Sequence, residues 1–176
     1  MKKKNKNKGV VFWITGLPGS GKTTIAKKIK KPIEKSFGKT LLFSGDDLRK
    51  ILKFKEYNKN RRYEYAKVYC NLVKQISNQN INVIIATVAL FKKIHKLNKK
   101  NIENYCEIFI HCNINNIIKN KKKNLYFKKK KNLVGVDIKP EYPIKPHIKV
   151  TNNFSVSTEK ISKKILGKIN FLYKIR

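Results

Sequence analysis

The chain has 176 residues, 40% of them hydrophobic, which provides for one full core but not two and excludes a disordered chain. Its formal charge is +33, from 43 Lys and Arg against 10 Asp and Glu. The lysines run through the whole length together with Asn and Ile and no reader motif accompanies them, so the charge reads as a solvated surface more than as a dedicated nucleic-acid site.

Residues 1 to 8 read as a basic arm ahead of one domain covering 9 to 176. Val10 to Ile14 is a short apolar run that ends at a glycine loop, the signature of a buried parallel strand. A helix follows from Lys22 with Ile25, Ala26 and Ile29 inward, and Pro32 is expected to break or kink it. Thr40 to Phe43 makes a second strand, and Asp46 to Leu52 a short helix with an acidic first turn. Between Arg61 and Asn78 the apolar positions Tyr65, Val68, Tyr69, Leu72, Val73 and Ile76 recur at helical spacing. Val83 to Ala86 and Glu107 to Ile110 read as strands, and Phe91 to Asn101 and Ile114 to Lys119 as helices. The lysine-rich stretch Lys119 to Lys131 reads as a mobile lid extending to about residue 140. Pro140, Pro143 and Pro146 then hold an extended connection to a last strand at His147 to Val150, and Ile161, Ile165, Ile169 and Leu172 mark a closing helix. Strands alternating with helices predict an α/β doubly wound parallel sheet of about five strands, with flanking helices and a lid. The apolar run Ile81 to Phe91 is too short for a membrane span. Cys70, Cys106 and Cys112 lack metal or disulfide spacing and read as free thiols of a cytoplasmic protein. His95, His111 and His147 are dispersed and do not suggest a metal site.

Gly16-Leu17-Pro18-Gly19-Ser20-Gly21-Lys22-Thr23 satisfies GxxxxGK[ST] between a strand and a helix, the P-loop context. Its glycines let backbone N–H groups turn inward, and the helix start adds positive potential for phosphate. Lys22 is placed to reach the β- and γ-phosphates of a nucleoside triphosphate and Thr23 to ligate Mg2+. The third strand ends without an acid, whereas Gly45-Asp46-Asp47 follows the second. That points to a kinase in which Asp46 organises the metal and accepts the proton of the acceptor hydroxyl, with a helix cap as the alternative role for Asp47.

The run Gly16 to Thr24, then Ser44-Gly45-Asp46-Asp47-Leu48-Arg49, Leu125-Tyr126, Gly135-Val136-Asp137, Glu141, Pro143 and Pro146 resembles the adenylylsulfate (APS) kinase family over roughly residues 9 to 151. The resemblance implies a P-loop NTPase fold, use of ATP and Mg2+, a cytoplasmic homodimer, and phosphorylation of the 3′-hydroxyl of adenylyl sulfate. It places Lys22 and Asp46 in catalysis, and Gly16, Leu17, Pro18, Gly19, Ser20, Gly21, Lys22, Thr23 and Thr24 on ATP. Asp46, Arg49, Arg61, Lys123 and Leu125 fall on the acceptor, with Arg62 as a neighbour able to trade places with Arg61. The departures are Ser44 for the first acid, Asn120-Lys121-Lys122-Lys123-Asn124 in the lid, Val88-Ala89-Leu90 for Ile-Ser-Pro, and Leu133 for an aromatic. Ala86 to Phe91 with Tyr65-Ala66 is closer to a divergent branch with members thought to act on other nucleotide-linked acceptors, such as cytidine diphosphoramidate. A basic nucleic-acid-binding protein and a decayed kinase are the remaining alternatives.

Overall fold

The structure is a computed structural model that describes residues 5, 7–120 and 131–175. Lys123, Leu125 and residues 121–130 of the expected lid therefore lie outside the described residues, as do most of the first six. Five strands, β1 (Val11–Thr15), β2 (Thr40–Ser44), β3 (Asn82–Ala86), β4 (Tyr105–His111) and β5 (Ile148–Thr151), form one sheet. All pairs are parallel and the order is β2-β3-β1-β4-β5. The helices are α1 (Lys22–Phe37), α2 (Gly45–Ile51), α3 (Lys59–Asn78), α4 (Lys92–Asn101), α5 (Ile114–Lys119) and α6 (Thr158–Tyr173).

Every residue of β1 and β3 is buried, which is why these strands read as unbroken apolar runs instead of alternating ones. Successive side chains still point to opposite faces. Phe12 and Ile14 join Ile25, Ile29, Ile165 and Ile169 from α1 and α6, whereas Val11 and Trp13 join Tyr69, Val73 and Ile94 from α3 and α4. The sheet is thus covered on both faces, as the alternation of elements predicts. Because β3 and β4 flank β1 on either side, the chain changes direction across the sheet at β1, and the crevice beyond its carboxyl end is where ligands bind in such folds.

The expectation of a break or kink at Pro32 needs correction as regards the break. Helix α1 continues through Pro32 to Phe37. Ile33 remains fully buried beyond the proline, and the Phe37 ring meets Phe12 edge-on at 5.3 Å, so burial offsets the hydrogen bond that a proline removes. Asn82, which interrupts the apolar run in the sequence, opens β3. Its Oδ1 accepts from Val10 N at 2.9 Å and its Nδ2 donates to Phe37 O and Lys39 O at 3.0 and 3.1 Å.

A buried ionic cluster lies under α4. Glu107, fully buried on β4, accepts from Tyr105 Oη at 3.2 Å, meets His95 Nδ1 at 2.7 Å and has Lys99 Nζ 3.2 Å from its second oxygen. Burial pushes the carboxyl up, but the His95 hydrogen bond and the charges of His95 and Lys99 outweigh it and hold the group below its usual range. A carboxylate lowered by folding adds stability above its unfolded value, about 4.3, and loses it as pH falls through the folded value. Glu107→Gln is therefore expected to cost about 3 kcal/mol at neutral pH. It should also flatten the loss of stability below pH about 4, which urea unfolding at a series of pH values would measure.

Candidate active site

The loop between β1 and α1 is built for close approach to its backbone. A Cβ on Gly16 would stand 2.4 Å from Ile110 O, and Gly21, the residue before α1, has φ 91°, so neither position accepts a side chain without strain. Lys22 is buried, and its Nζ donates to Leu17 O at 2.7 Å, so the ammonium lies folded over the loop. Ser20 is fully buried and its Oγ has no hydrogen-bond partner, a polar atom turned into the loop that a phosphate oxygen would satisfy. Asn152, just after β5, braces the loop from outside by donating from Nδ2 to Ser20 O at 3.1 Å. Thr23 and Thr24 are exposed on the first turn of α1.

Across the crevice, β2 runs directly into α2. Ser44 caps this helix: its Oγ accepts from Asp47 N at 3.1 Å and donates to Asp47 Oδ2 at 2.6 Å. The reciprocal arrangement consumes Asp47 in holding the helix start. Asp46, by contrast, presents a largely exposed carboxylate that is ion-paired with Arg49 one turn later. Burial of the loop's neighbours also shows in Cys112, whose thiol is pushed up to about 11 against the opposing charge of Lys22.

Behind Arg49 lies a shallow pocket that opens to solvent. Its walls come from α3 (Arg62, Tyr65, Tyr69), from the Thr87–Phe91 segment after β3, and from Val134 and Ile138. Arg62 donates from Nε to Tyr57 O at 2.7 Å and from NH2 to Asn132 O at 3.0 Å. The Arg62 and Arg49 guanidinium carbons stand 5.1 and 5.5 Å from the centre of the Tyr57 ring. Burial, and then the charge of Arg49, lower the Arg62 pKa. Two guanidiniums competing in one half-buried pocket favour an anion between them. Arg61 does not reach this place. It points outward and pairs with Glu56 at 3.0 Å, more than half exposed.

The adenylylsulphate kinase family model matches residues 8–151. A cytidine diphosphoramidate kinase of Campylobacter jejuni is 34% identical over 167 residues, covering 91% of this chain and 98% of its own. The chain belongs to the adenylylsulphate kinase family. An adenylyl-sulfate kinase of Pseudomonas aeruginosa is 30% identical over 147 residues, 80% of this chain and 75% of its own. In fold, the chain is similar to the APS kinase of Mycobacterium tuberculosis solved with AMPPNP and APS, at a TM-score of 0.82 and 18% identity over 93% of this chain and 98% of that one. As a member of this family the protein is a P-loop kinase that acts on a nucleotide.

Arg62, which the sequence offers only as a neighbour able to trade places with Arg61, lines the pocket of this kinase together with Tyr65, and Glu141 ties down the segment that forms its other wall. Glu141 N donates to Leu90 O at 3.0 Å, its Oε2 accepts from Lys92 N at 2.8 Å, and its carbonyl faces His95 Nε2 at 3.1 Å. The segment it grips contains Ala89 at φ 25°, a conformation that costs a residue with a side chain about 1–3 kcal/mol and persists only under such restraint. Glu141→Ala is expected to raise the acceptor KM several-fold and leave the ATP KM unchanged, as steady-state kinetics with each substrate varied would show. The family resemblance marks Glu141 in the sequence, but not the three segments it joins.

Proposed function

We propose that this kinase transfers the γ-phosphoryl group of ATP to a ribose hydroxyl of a nucleotide-linked anion, with cytidine diphosphoramidate as acceptor ahead of adenylyl sulfate. The observation that carries the reading is the pair of guanidiniums, Arg49 and Arg62, facing one pocket beside the Asp46 carboxylate. Greater identity to the Campylobacter jejuni enzyme, over nearly its full length, favours the cytidine-linked acceptor. The replacement of Ile-Ser-Pro by Val88-Ala89-Leu90 on the pocket wall points the same way.

The residues fit Mg-ATP. The buried, unpartnered Ser20 Oγ and the loop that a Cβ on Gly16 would close suit phosphate. Among the described residues no cluster of three or more His, Cys, Asp or Glu is placed to hold a metal. Magnesium, which keeps several waters and phosphate oxygens as ligands, needs only the Thr23 hydroxyl and the Asp46 carboxylate from the protein. When bound, Mg-ATP supplies the phosphoryl group and offsets its charge. Lys22 has a flexible stem that lets its ammonium leave Leu17 O for a phosphate oxygen, and with the loop amides it stabilises charge developing in transfer. Asp46 accepts the hydroxyl proton as the new oxygen–phosphorus bond forms and the bond from the γ-phosphorus to the departing ADP oxygen breaks. Arg49 and Arg62 hold the acceptor's anionic end so that the hydroxyl stands in line with the phosphoryl group.

The test is a coupled assay of ADP release with each acceptor in parallel. The reading expects a higher kcat/KM for cytidine diphosphoramidate than for adenylyl sulfate; the reverse order would restore adenylyl sulfate as the acceptor.

A further inference from the structure

Of the aromatic side chains that line the pocket, Tyr65, Tyr69 and Phe91, Tyr65 has its ring braced from behind by a parallel stack. Tyr65 lines the cavity, and its ring lies against Phe54 with centroids 3.9 Å apart and planes 6° from parallel. Phe54 is itself anchored: its N donates to Arg49 O at 2.9 Å, and the Tyr69 ring stands 6.3 Å away. Tyr65 therefore cannot retreat into the α2–α3 turn without displacing a packed ring. The walls formed by Leu90, Val134 and Ile138 are aliphatic. A pocket with two guanidiniums, a braced aromatic ring and aliphatic walls fits a molecule with a charged end and a flat heterocycle. It does not fit a sugar phosphate equally well, since such a ligand leaves the ring unused.

We infer that Tyr65 is the residue on which the acceptor's base stacks, with Phe54 as its backing, so that a stack of Phe54, Tyr65 and base selects nucleotides over bare phosphorylated sugars. This rests on the reading of the pocket as the acceptor site and adds to it the residue that recognises the base. Stacking is tolerant of base identity because every base has a π-face, so Tyr65 confers selection for a base and leaves the choice among bases to polar groups.

Calorimetric titration of CMP and of ribose 5-phosphate, which differ only in the base, into protein saturated with a non-hydrolysable ATP analogue tests the assignment. Wild type is expected to bind CMP roughly ten-fold more tightly than ribose 5-phosphate. Tyr65→Phe should keep that ratio, and Tyr65→Ala should bring it to within about two-fold while ribose 5-phosphate affinity stays unchanged. Tyr65→Leu, which keeps apolar bulk without a flat ring, serves the same purpose if the alanine variant does not fold. An equal affinity of wild type for the two probes, or a variant lacking the ring that retains the wild-type ratio, overturns the inference. Failure of cytidine diphosphoramidate to turn over, with the CMP ratio still following Tyr65, would instead remove the proposed acceptor and leave the stacking residue standing.

Discussion

Lys22→Ala is expected to lower kcat by roughly 10²–10³-fold, the loss that follows removal of one preorganised group stabilising transition-state charge. The fold should survive the change, because the hydrogen bond from Lys22 to Leu17 O is local to the loop. Thermal unfolding of the variant would show a Tm within a few degrees of wild type, so lost turnover reports chemistry and not unfolding. Both kcat and kcat/KM for ATP fall in this account, since the ammonium contributes more in the transition state than in the bound ground state. A variant with full activity would mean that the loop amides alone carry the charge, contrary to the role given to Lys22.

The second large effect separates two adjacent arginines. Arg62→Ala is expected to reduce kcat/KM for the acceptor by roughly 30-fold, corresponding to about 2 kcal/mol for charged hydrogen bonds to a bound anion. Arg61→Ala, which removes only an exposed pair with Glu56, should stay within about two-fold, as surface ion pairs contribute little. Arg62→Lys keeps the charge but not the planar fork and is expected to recover only part of the loss. Steady-state kinetics with the acceptor varied at saturating ATP decide the matter. The ATP KM should be the same in all three variants, because neither arginine lies at the loop between β1 and α1.

That contrast also shows where a reading of the residues alone stops. Successive positions on a helix point about 100° apart, so choosing between Arg61 and Arg62 requires the start and rotation of α3. Asn58 sets that start by capping the helix and accepting from Arg61 N at 2.9 Å. The glycine loop was legible because its geometry is dictated locally: Gly16 and Gly21 adopt backbone angles closed to other residues. The strands were legible because β1 and β3 are buried on both faces, which leaves uninterrupted apolar runs. Pro32 misled because local propensity is weaker than the burial of Ile33 and Phe37 on the sheet. The links among Glu107, His95 and Glu141 join residues 12 and 46 positions apart, and no periodicity announces such partners. Ser44, taken in the sequence as the loss of an acid, proves in the structure to cap α2 and to engage Asp47, leaving Asp46 exposed beside the crevice.

The most direct measurement is the fate of the terminal phosphate of γ-labelled ATP incubated with the protein and cytidine diphosphoramidate. The account predicts label in a new phosphorylated nucleotide, formed in proportion to ADP, at a rate lowered roughly 10²–10³-fold with Lys22→Ala and much reduced with Arg62→Ala. Label released only as inorganic phosphate, at a rate indifferent to the acceptor and to Arg62, would contradict it.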